Sequence, residues 1–259
     1  MTASGPQESK MKNVLWSLIG FLALFSAWEI ASVLLARSPL FPPPTTVLAK
    51  LFELAANGSL LDNVAASLGR IASGFCLGSI LGVPIGLLVG SNILARRLLE
   101  PWIEFLRFIP ATAMITVAVI WFGIGEGSKI YLITYATIFV VVLNTASGVA
   151  MLSKNKIRAA EALGASRPQL FFMVILPATV PFILTGMRVA MANAFTTIVA
   201  AELVSAQRGL GVMLWNGRLY MLIDEIFVAL LCLGLLGFLA DRLFRWSILR
   251  LAGRFLPTS

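Results

Sequence analysis

The sequence predicts an all-α, polytopic membrane protein of about six transmembrane helices, and three observations lead to this fold class. The 259-residue chain is 59% hydrophobic and 12% charged, with a mean hydropathy of +0.92. Soluble domains are typically about 45–50% apolar and about 25% charged. The apolar residues also form long continuous runs, whereas a transmembrane β-barrel needs segments of about ten residues with alternating polarity.

Six apolar runs are candidate spans, because a helix needs about 20 residues to cross a bilayer. They are residues 14–36, 64–90, 108–124, 130–152, 176–201 and 226–240. The last run is short and is expected to extend to Trp246, with Arg242 and Arg245 reaching the headgroups. The first run is longer than the apolar core of a signal peptide and contains Glu29, so we expect it to be retained.

These runs predict a domain organisation. Residues 1–40 form an N-terminal tail and the first transmembrane helix, and residues 41–63 form an amphipathic segment on the outer surface. This segment begins with an extended run of prolines, its helix is expected to be capped by Thr45 or Thr46, and Asn57 and Gly58 end it. Residues 64–246 are the core transmembrane domain, which contains a loop at 154–177, and residues 247–259 are a cytoplasmic tail.

The distribution of positive charge predicts the orientation. The chain has 20 Lys and Arg residues against 12 Asp and Glu. Counted between the predicted spans, twelve basic residues lie on the side of the N-terminus and five on the other side. Because cytoplasmic loops carry the excess of Lys and Arg, both termini are expected in the cytoplasm. In a membrane chain this basic excess indicates topology, so nucleic acid is not an expected partner.

Several kinds of chemistry are absent from the sequence. The chain has no histidine, and Cys76 and Cys232 each lie in an apolar run without metal-ligand spacing. It has no phosphate-binding loop motif, since the stretch GEGSK at 125–129 lacks the spacing and the helix context. No paired carboxylates or nucleophile–base set lies within the spans. We therefore expect no catalytic residue, no metal and no enzymatic activity of the chain itself.

The loop at 154–177 is unusual in a chain this hydrophobic. Residues 156–167 are rich in helix-forming types, and Ile157, Ala160, Leu163 and Gly164 fall on one face. Pro168 is expected to break this helix and to start a second one that leads into the fifth span. The residues alone leave two interpretations open, an amphipathic helix in the headgroup region and a docking surface for another protein.

The sequence RAAEALGASRPQLFFMVILP resembles the cytoplasmic coupling loop of the permease subunits of ATP-binding-cassette (ABC) importers. The two alanines, the glycine and the terminal Leu-Pro of that pattern match in spacing, and Val174 fills an isoleucine position. Arg158 departs from the pattern, where the family usually has glutamate, and Glu161 lies one turn further on. The resemblance implies that the residues coupling the chain to an ATPase are Arg158, Ala159, Ala160, Glu161, Leu163, Gly164, Leu176 and Pro177.

The resemblance extends over residues 41–250 and is greatest to the nitrate, sulfonate and taurine branch. It implies a type I importer permease fold with a cytoplasmic coupling helix, in the bacterial inner membrane. It also implies a homodimer that works with a separate ATPase, which binds the ATP, and with a soluble or lipid-anchored extracytoplasmic substrate-binding protein. The chain itself would carry no cofactor. The solute would be small and anionic, such as nitrate, a sulfonate, taurine or bicarbonate, with small heterocyclic precursors also open.

Three charged residues in or near the spans are candidates for the solute pathway or for structural pairing between helices: Arg70, Arg188 and Glu202. Arg70 and Glu202 lie near the outer ends of their spans, which favours structural pairing. Arg188 lies about 12 residues into the fifth span and is the preferred pathway candidate, since a positive charge suits an anionic solute.

Two other functions remain open from the residues. A stand-alone secondary transporter driven by an ion gradient would have no use for the coupling loop, and we find no paired inverted halves. A membrane-embedded enzyme would need a catalytic cluster.

Overall fold

The computed structural model describes residues 6–36, 38–203 and 206–251, and these residues form helices joined by short turns. The helices are α1 Pro6–Ile30, α2 Pro44–Ala56, α3 Ser59–Ser91, α4 Ile93–Arg107, α5 Ile115–Phe122, α6 Glu126–Ala150, α7 Lys154–Ala162, α8 Arg167–Leu170, α9 Leu176–Glu202, α10 Leu210–Leu219 and α11 Ile223–Leu251. Segments of π-helix extend α1 at Ala31–Ala36 and join α8 to α9 at Phe171–Ile175. The all-α membrane fold is confirmed.

Four helices in the described part of the chain are long and apolar enough to cross a membrane: Ser59–Ser91, Glu126–Ala150, Arg167–Glu202 and Ile223–Ile248. They correspond to the second, fourth, fifth and sixth predicted spans. The first predicted span contains a shorter apolar helix, Ile19–Leu34. Of the predicted tail at 247–259, residues 247–251 continue α11, and residues 252–259 lie outside the described residues.

The third predicted span, 108–124, is not one continuous helix. Here α4 ends at Arg107, turns follow, and α5 is only 8 residues long. Pro110 explains the break, because proline has no backbone N–H and disfavours helical geometry in the residue before it. Gly123, with φ +73°, then ends α5.

The described residues fall into two compact units. The first contains those of Met1–Leu61 and Met213–Leu230, and the second contains those of Asp62–Val212 and Leu231–Ser259. The second unit holds α4 to α9 and most of α3 and α11.

The second unit is built on a groove of glycines along α3. An added Cβ on any of them would lie 2.5–2.9 Å from the Cβ of a β-branched residue of α6. The facing pairs are Gly74–Ile133, Gly78–Thr137, Gly82–Val141, Gly86–Thr145 and Gly90–Val149. Small residues allow membrane helices to approach this closely. Both members of the pairs increase along the chain, so α3 and α6 run parallel, and the segment containing α4 and α5 must return along their length.

Helix α9 packs antiparallel to α6. An added Cβ on Gly148 would meet Phe182, and one on Gly186 would meet Asn144. The buried centre of this packing includes Ile133, Ala190, Ala194 and Ile198, each 0% exposed. Alternating helix directions of this kind are what a chain crossing the membrane repeatedly requires.

In the first unit, Trp28 of α1 packs against Phe41 and Phe227, with ring centroids 6.3 and 5.5 Å apart. Helix α2 begins at Pro44 with Pro43 as its N-cap, so the expectation of a cap at Thr45 or Thr46 is wrong. The fixed φ of proline suits the first helical position, where no N–H is needed. The end at Asn57 and Gly58 is as predicted, since Gly58 has φ +80°.

Lys50 lies on α2 and binds two carboxylates of the same unit. Its Nζ lies 3.0 Å from Oε1 of Glu53 and 3.5 Å from Oε1 of Glu225. The hydrogen bond to Glu53 raises the pKa of Lys50 above its ordinary value. These contacts join α2 to the start of α11 in the first unit.

Candidate functional site

Arg70 of α3 lies at the centre of a buried polar cluster at the end of the second unit. Its Nε and Nη2 donate to the carboxylate of Glu126 at 2.6 and 2.8 Å. Its Nη1 donates to Oε1 of Glu202 at 2.7 Å and to the carbonyl of Arg208 at 2.6 Å. Only 7% of Arg70 and 1% of Glu202 are exposed. The arginine thereby ties α3 to the start of α6, the end of α9 and the loop that follows.

The Glu202 carboxylate has further partners. It accepts hydrogen bonds from Ser67 Oγ at 2.8 Å and from the N–H of Gly211 at 2.7 Å. Ser67 Oγ in turn accepts from the N–H of Leu210 at 2.8 Å. Buried charges of this kind are stable only when paired and hydrogen-bonded, and here they are. This arrangement supports structural pairing for Arg70 and Glu202 rather than a pathway role.

Arg188, the preferred pathway candidate, is paired as well. Its Nε and Nη2 both donate to the carboxylate of Asp241 on α11, with Nη2 2.8 Å from Oδ2. The two side chains are 42% and 34% exposed, and they line a cavity of about 200 Å³. Asp241 therefore neutralises the positive charge of Arg188. The sequence did not reveal Asp241, because the predicted apolar run ended one residue before it.

A second cavity lies where α4 breaks, against the middle of α6 and α9. It has a volume of about 390 Å³, and its polar lining includes Arg107, Asn193, Thr196 and Thr197. The Tyr135 hydroxyl donates to the carbonyl of Leu106 at 2.7 Å and so fixes the end of α4 against α6. None of these four polar residues was a sequence candidate. The sequence did contain a signal for this cavity. Arg107 directly precedes an apolar run, and that run contains a proline, Pro110, which can break a helix.

The predicted elbow at 154–177 contains a short exposed helix with a defined end. Helix α7 ends where Gly164 adopts φ +81°. The N–H of Gly164 donates to the carbonyl of Glu161 at 2.9 Å, and the N–H of Ala165 donates to that of Ala160 at 3.0 Å. This pair of bonds is the Schellman motif, which satisfies carbonyls that the helix end leaves free. The role of Gly164 is therefore conformational, since an added Cβ there meets nothing within 4 Å.

The end of α7 and the turn that follows it present a small and mostly polar outer surface. Arg158, Ala159, Glu161 and Gly164 are exposed, while Ile157 and Ala160 are half-buried. Leu163 is 88% exposed, the highest value among the exposed large hydrophobic residues described. A solitary exposed leucine at the tip of a rigid turn can insert into a complementary groove.

The elbow connects to α9 through continuous helix. Gln169 accepts a hydrogen bond from the N–H of Ser166 at 2.8 Å, which caps α8. The π-segment Phe171–Ile175 follows, and Leu176 and Pro177 begin α9. Such π-turns accommodate the missing N–H of a proline. The elbow is therefore continuous with α9, the helix that lines the cavities of Arg107 and Arg188.

Among the residues that the structure describes, no group of three or more Asp, Glu, Cys or His side chains is placed to hold a metal ion.

Comparison with known proteins gives consistent matches. A family model described as binding-protein-dependent transport system inner membrane component matches residues 82–253. A probable ABC transporter permease of Brucella melitensis is 40% identical over 91% of this chain and 95% of its own length. The taurine transport system permease of Escherichia coli is 39% identical over 86% of this chain and 84% of its own. The bicarbonate transport system permease of Synechococcus elongatus is 30% identical, with 92% and 90% covered.

The fold is also similar to a solved structure, a chain of the MetNI methionine ABC transporter in an inward-facing conformation. The TM-score is 0.63 at 20% identity, and the match covers 76% of this chain and 96% of the other. This likeness confirms the permease fold.

These matches exclude a stand-alone secondary carrier and a membrane-embedded enzyme. The chain is a transport subunit without a catalytic activity or a cofactor of its own, and ATP is bound by its ATPase partner. It belongs to the family of binding-protein-dependent transport system inner membrane components, as the multi-pass inner-membrane permease of an ABC importer.

Proposed function

We propose that this permease imports a small solute with an oxyanion group, of the sulfonate, taurine, nitrate or bicarbonate type. The observation that carries the proposal is the 39% identity to a taurine permease over 86% of the chain. A permease of aliphatic sulfonates is 34% identical to this chain, and a permease of bicarbonate is 30% identical. Like taurine, the solutes named for both are small and carry charged oxygens.

The test is uptake into proteoliposomes that contain this chain and its ATPase, with ATP inside and the binding protein outside. Labelled taurine, an alkanesulfonate, nitrate and bicarbonate are compared with a neutral sugar and with methionine. Uptake of at least one oxyanion solute and of neither control is expected. Uptake of a control alone would contradict the proposal.

We propose further that two copies of the chain assemble with two copies of the ATPase and with an extracytoplasmic binding protein. Each chain carries a single elbow, whereas an ATP-binding pair is two-fold. Mass measurement of the purified complex should give a 2:2 stoichiometry of permease to ATPase. A stable 1:1 complex, or a second and different permease chain, would contradict the homodimer.

The elbow at 154–177 is proposed to dock on the ATPase through its exposed surface, in particular Leu163. An exposed side chain contributes little to the fold of its own chain, so Leu163→Ala should change its stability by less than about 0.5 kcal/mol. Burial of a leucine in a partner groove contributes about 1.5–3 kcal/mol. At about 1.4 kcal/mol per tenfold, the substitution should weaken ATPase binding by about ten- to a hundredfold.

Met151 provides the matched control, because it is 72% exposed and lies three residues before the elbow. Met151→Ala should leave ATPase affinity and stimulated hydrolysis unchanged. If Leu163→Ala behaved like the control, Leu163 would not be a docking residue. Gly164 is a poorer test, since its positive φ makes any side chain strained whether or not a partner is present.

Both termini are proposed to lie in the cytoplasm. The charge distribution predicts this orientation, and the helix packing fixes only the relative directions of α3, α6 and α9. The elbow would then face the compartment that contains the ATPase.

A further inference from the structure

The cavity at the break between α4 and α5 lies at mid-depth of the second unit. Tyr135 is bonded to Leu106 and lies nine residues after the start of α6, which places it about 14 Å along a helix about 37 Å long. Arg107 is the next residue after Leu106 and lines the cavity. The volume of the cavity, about 390 Å³, is in the lower part of the range of about 300–1,000 Å³ for small-molecule sites.

The electrostatic character of this cavity differs from that of its neighbours. Arg188 lines another cavity together with Asp241, and Arg96 lines a third together with Glu100. The cavity at the break has no Asp or Glu in its lining. In the part of the chain that the structure describes, no carboxylate lies within ion-pair distance of Arg107.

An arginine at membrane depth without a carboxylate is costly, so its charge calls for a counterion. The guanidinium lies over the ring of Phe108, with Cζ 4.8 Å from the ring centroid, and is exposed. This contact leaves the N–H groups of the guanidinium available. Arginine binds planar and tetrahedral oxyanions well, because its N–H groups form a rigid fork.

The opposite wall supplies polar groups from α9. Asn193, Thr196 and Thr197 line the cavity within one turn of the helix. Thr196 Oγ1 donates to the carbonyl of Asn193 at 2.9 Å, which leaves the amide of Asn193 and the hydroxyl of Thr197 as the other polar side-chain groups of this wall. The remaining lining is mostly apolar and includes Phe139. A site of this composition suits a small molecule with one oxyanion end.

We infer that this cavity is a transit site for the oxyanion group of the imported solute, with Arg107 as its cationic ligand. The inference rests on the proposed function, since it assumes that the solute carries such a group. The proposed pathway arginine is therefore Arg107 and not Arg188, whose charge Asp241 neutralises.

The first test measures the electrostatic field in the cavity without any transport. Cys76 and Cys232 are replaced by alanine, and Ala136, which lines the cavity and is half-buried, is replaced by cysteine. The assembled complex is then labelled with two methanethiosulfonates of similar size, an anionic sulfonatoethyl reagent and a cationic trimethylammonioethyl reagent. The anionic reagent resembles an alkanesulfonate.

Arg107→Gln should lower the ratio of anionic to cationic labelling rates by about tenfold or more, because a charge in a low-dielectric cleft concentrates counterions to this extent. Arg107→Lys should keep most of the ratio. Arg97→Gln is the matched control, since Arg97 is exposed on the same helix and does not line the cavity. A ratio that Arg107→Gln leaves unchanged, or a cysteine at 136 that neither reagent reaches, would overturn the inference.

If Arg107→Gln does not yield an assembled complex, the test is whether a solute protects the cysteine at 136 from labelling. In the protein with Arg107 intact, a transported oxyanion at saturating concentration should slow the labelling of the cysteine at 136. Labelling at an unchanged rate would overturn the inference.

The second test is uptake. Arg107→Gln should reduce oxyanion uptake at least tenfold, while Arg97→Gln should leave it unchanged. If the wild-type complex imports oxyanions and Arg107→Gln does so equally well, the site is wrong and the proposed function stands. If the wild-type complex imports no oxyanion, the proposed function and the transit site both fail.

Discussion

The packing of α3 against α6 predicts that two alanine substitutions on one helix have opposite effects. An added Cβ on Gly78 would lie 2.6 Å from the Cβ of Thr137 and 3.0 Å from the carbonyl oxygen of Thr134. Carbon atoms prefer separations of about 3.5–4.0 Å, so α6 would have to move by about 1 Å. Such overpacking typically costs about 1–3 kcal/mol.

Gly69 lies on the same helix and is exposed, and an added Cβ there meets nothing within 4 Å. Gly69→Ala should therefore stabilise the helix by about 0.5–1 kcal/mol through lower backbone entropy in the unfolded chain. At about 2–4 °C per kcal/mol for a chain of this size, the two variants should differ in Tm by about 3–16 °C.

Thermal unfolding of both purified variants in the same detergent measures this difference. Gly78→Ala should unfold below the wild type, and Gly69→Ala at or above it. Equal Tm values for the two variants would refute the close approach of the two helices, and with it the frame that positions the cavities.

Two further predictions concern the buried cluster and the orientation. Glu202→Ala leaves a buried arginine without one of its carboxylates and should destabilise the protein by about 3–5 kcal/mol. Arg208→Gln, in a pair with Asp62 whose side chains are 69% and 59% exposed, should change stability by less than about 1 kcal/mol; equal Tm shifts would contradict this ranking. A cysteine at Asn155 should be labelled by impermeant reagents only from the cytoplasm and one at Asn57 only from outside, and labelling of position 155 from outside would reverse the orientation.

The sequence predicted the elements that depend on local composition. Four of the predicted apolar runs are long helices, because about 20 consecutive apolar residues favour a helix that crosses the bilayer. The end of α7 was expected at Pro168, but the helix ends at Gly164, because glycine readily adopts the positive φ that a helix end requires. Helix-forming residues and Pro168 predicted two short helices between α6 and α9, whereas a coupling role for them was implied only by the resemblance to a known family.

The features that were missed depend on contacts between distant residues. Structural pairing was favoured for Arg70 and for Glu202, but no local pattern showed that they pair with each other across 132 positions. The glycines of α3 recur every fourth residue. The sequence alone does not show that they face β-branched residues of α6, which recur at the same interval. The break at Pro110 lies inside an apolar run, where hydropathy outweighed the effect of a single proline.

The candidate pathway residues changed for the same reason. Arg188 was preferred because it lies deep in a span, but depth alone does not reveal a neighbouring carboxylate such as Asp241. Arg107 lay at the edge of a predicted span and gained its significance only from the cavity that the broken helix creates.

The proposed contact between the elbow and the ATPase is the step on which ATP-driven transport depends. A photoreactive amino acid at position 163, incorporated into the complex in native-like lipid, tests it most directly. We expect the crosslink to join this chain to the ATPase, and to shift when ATP binds. A crosslink to lipid alone would place the elbow in the headgroup region and contradict the coupling mechanism.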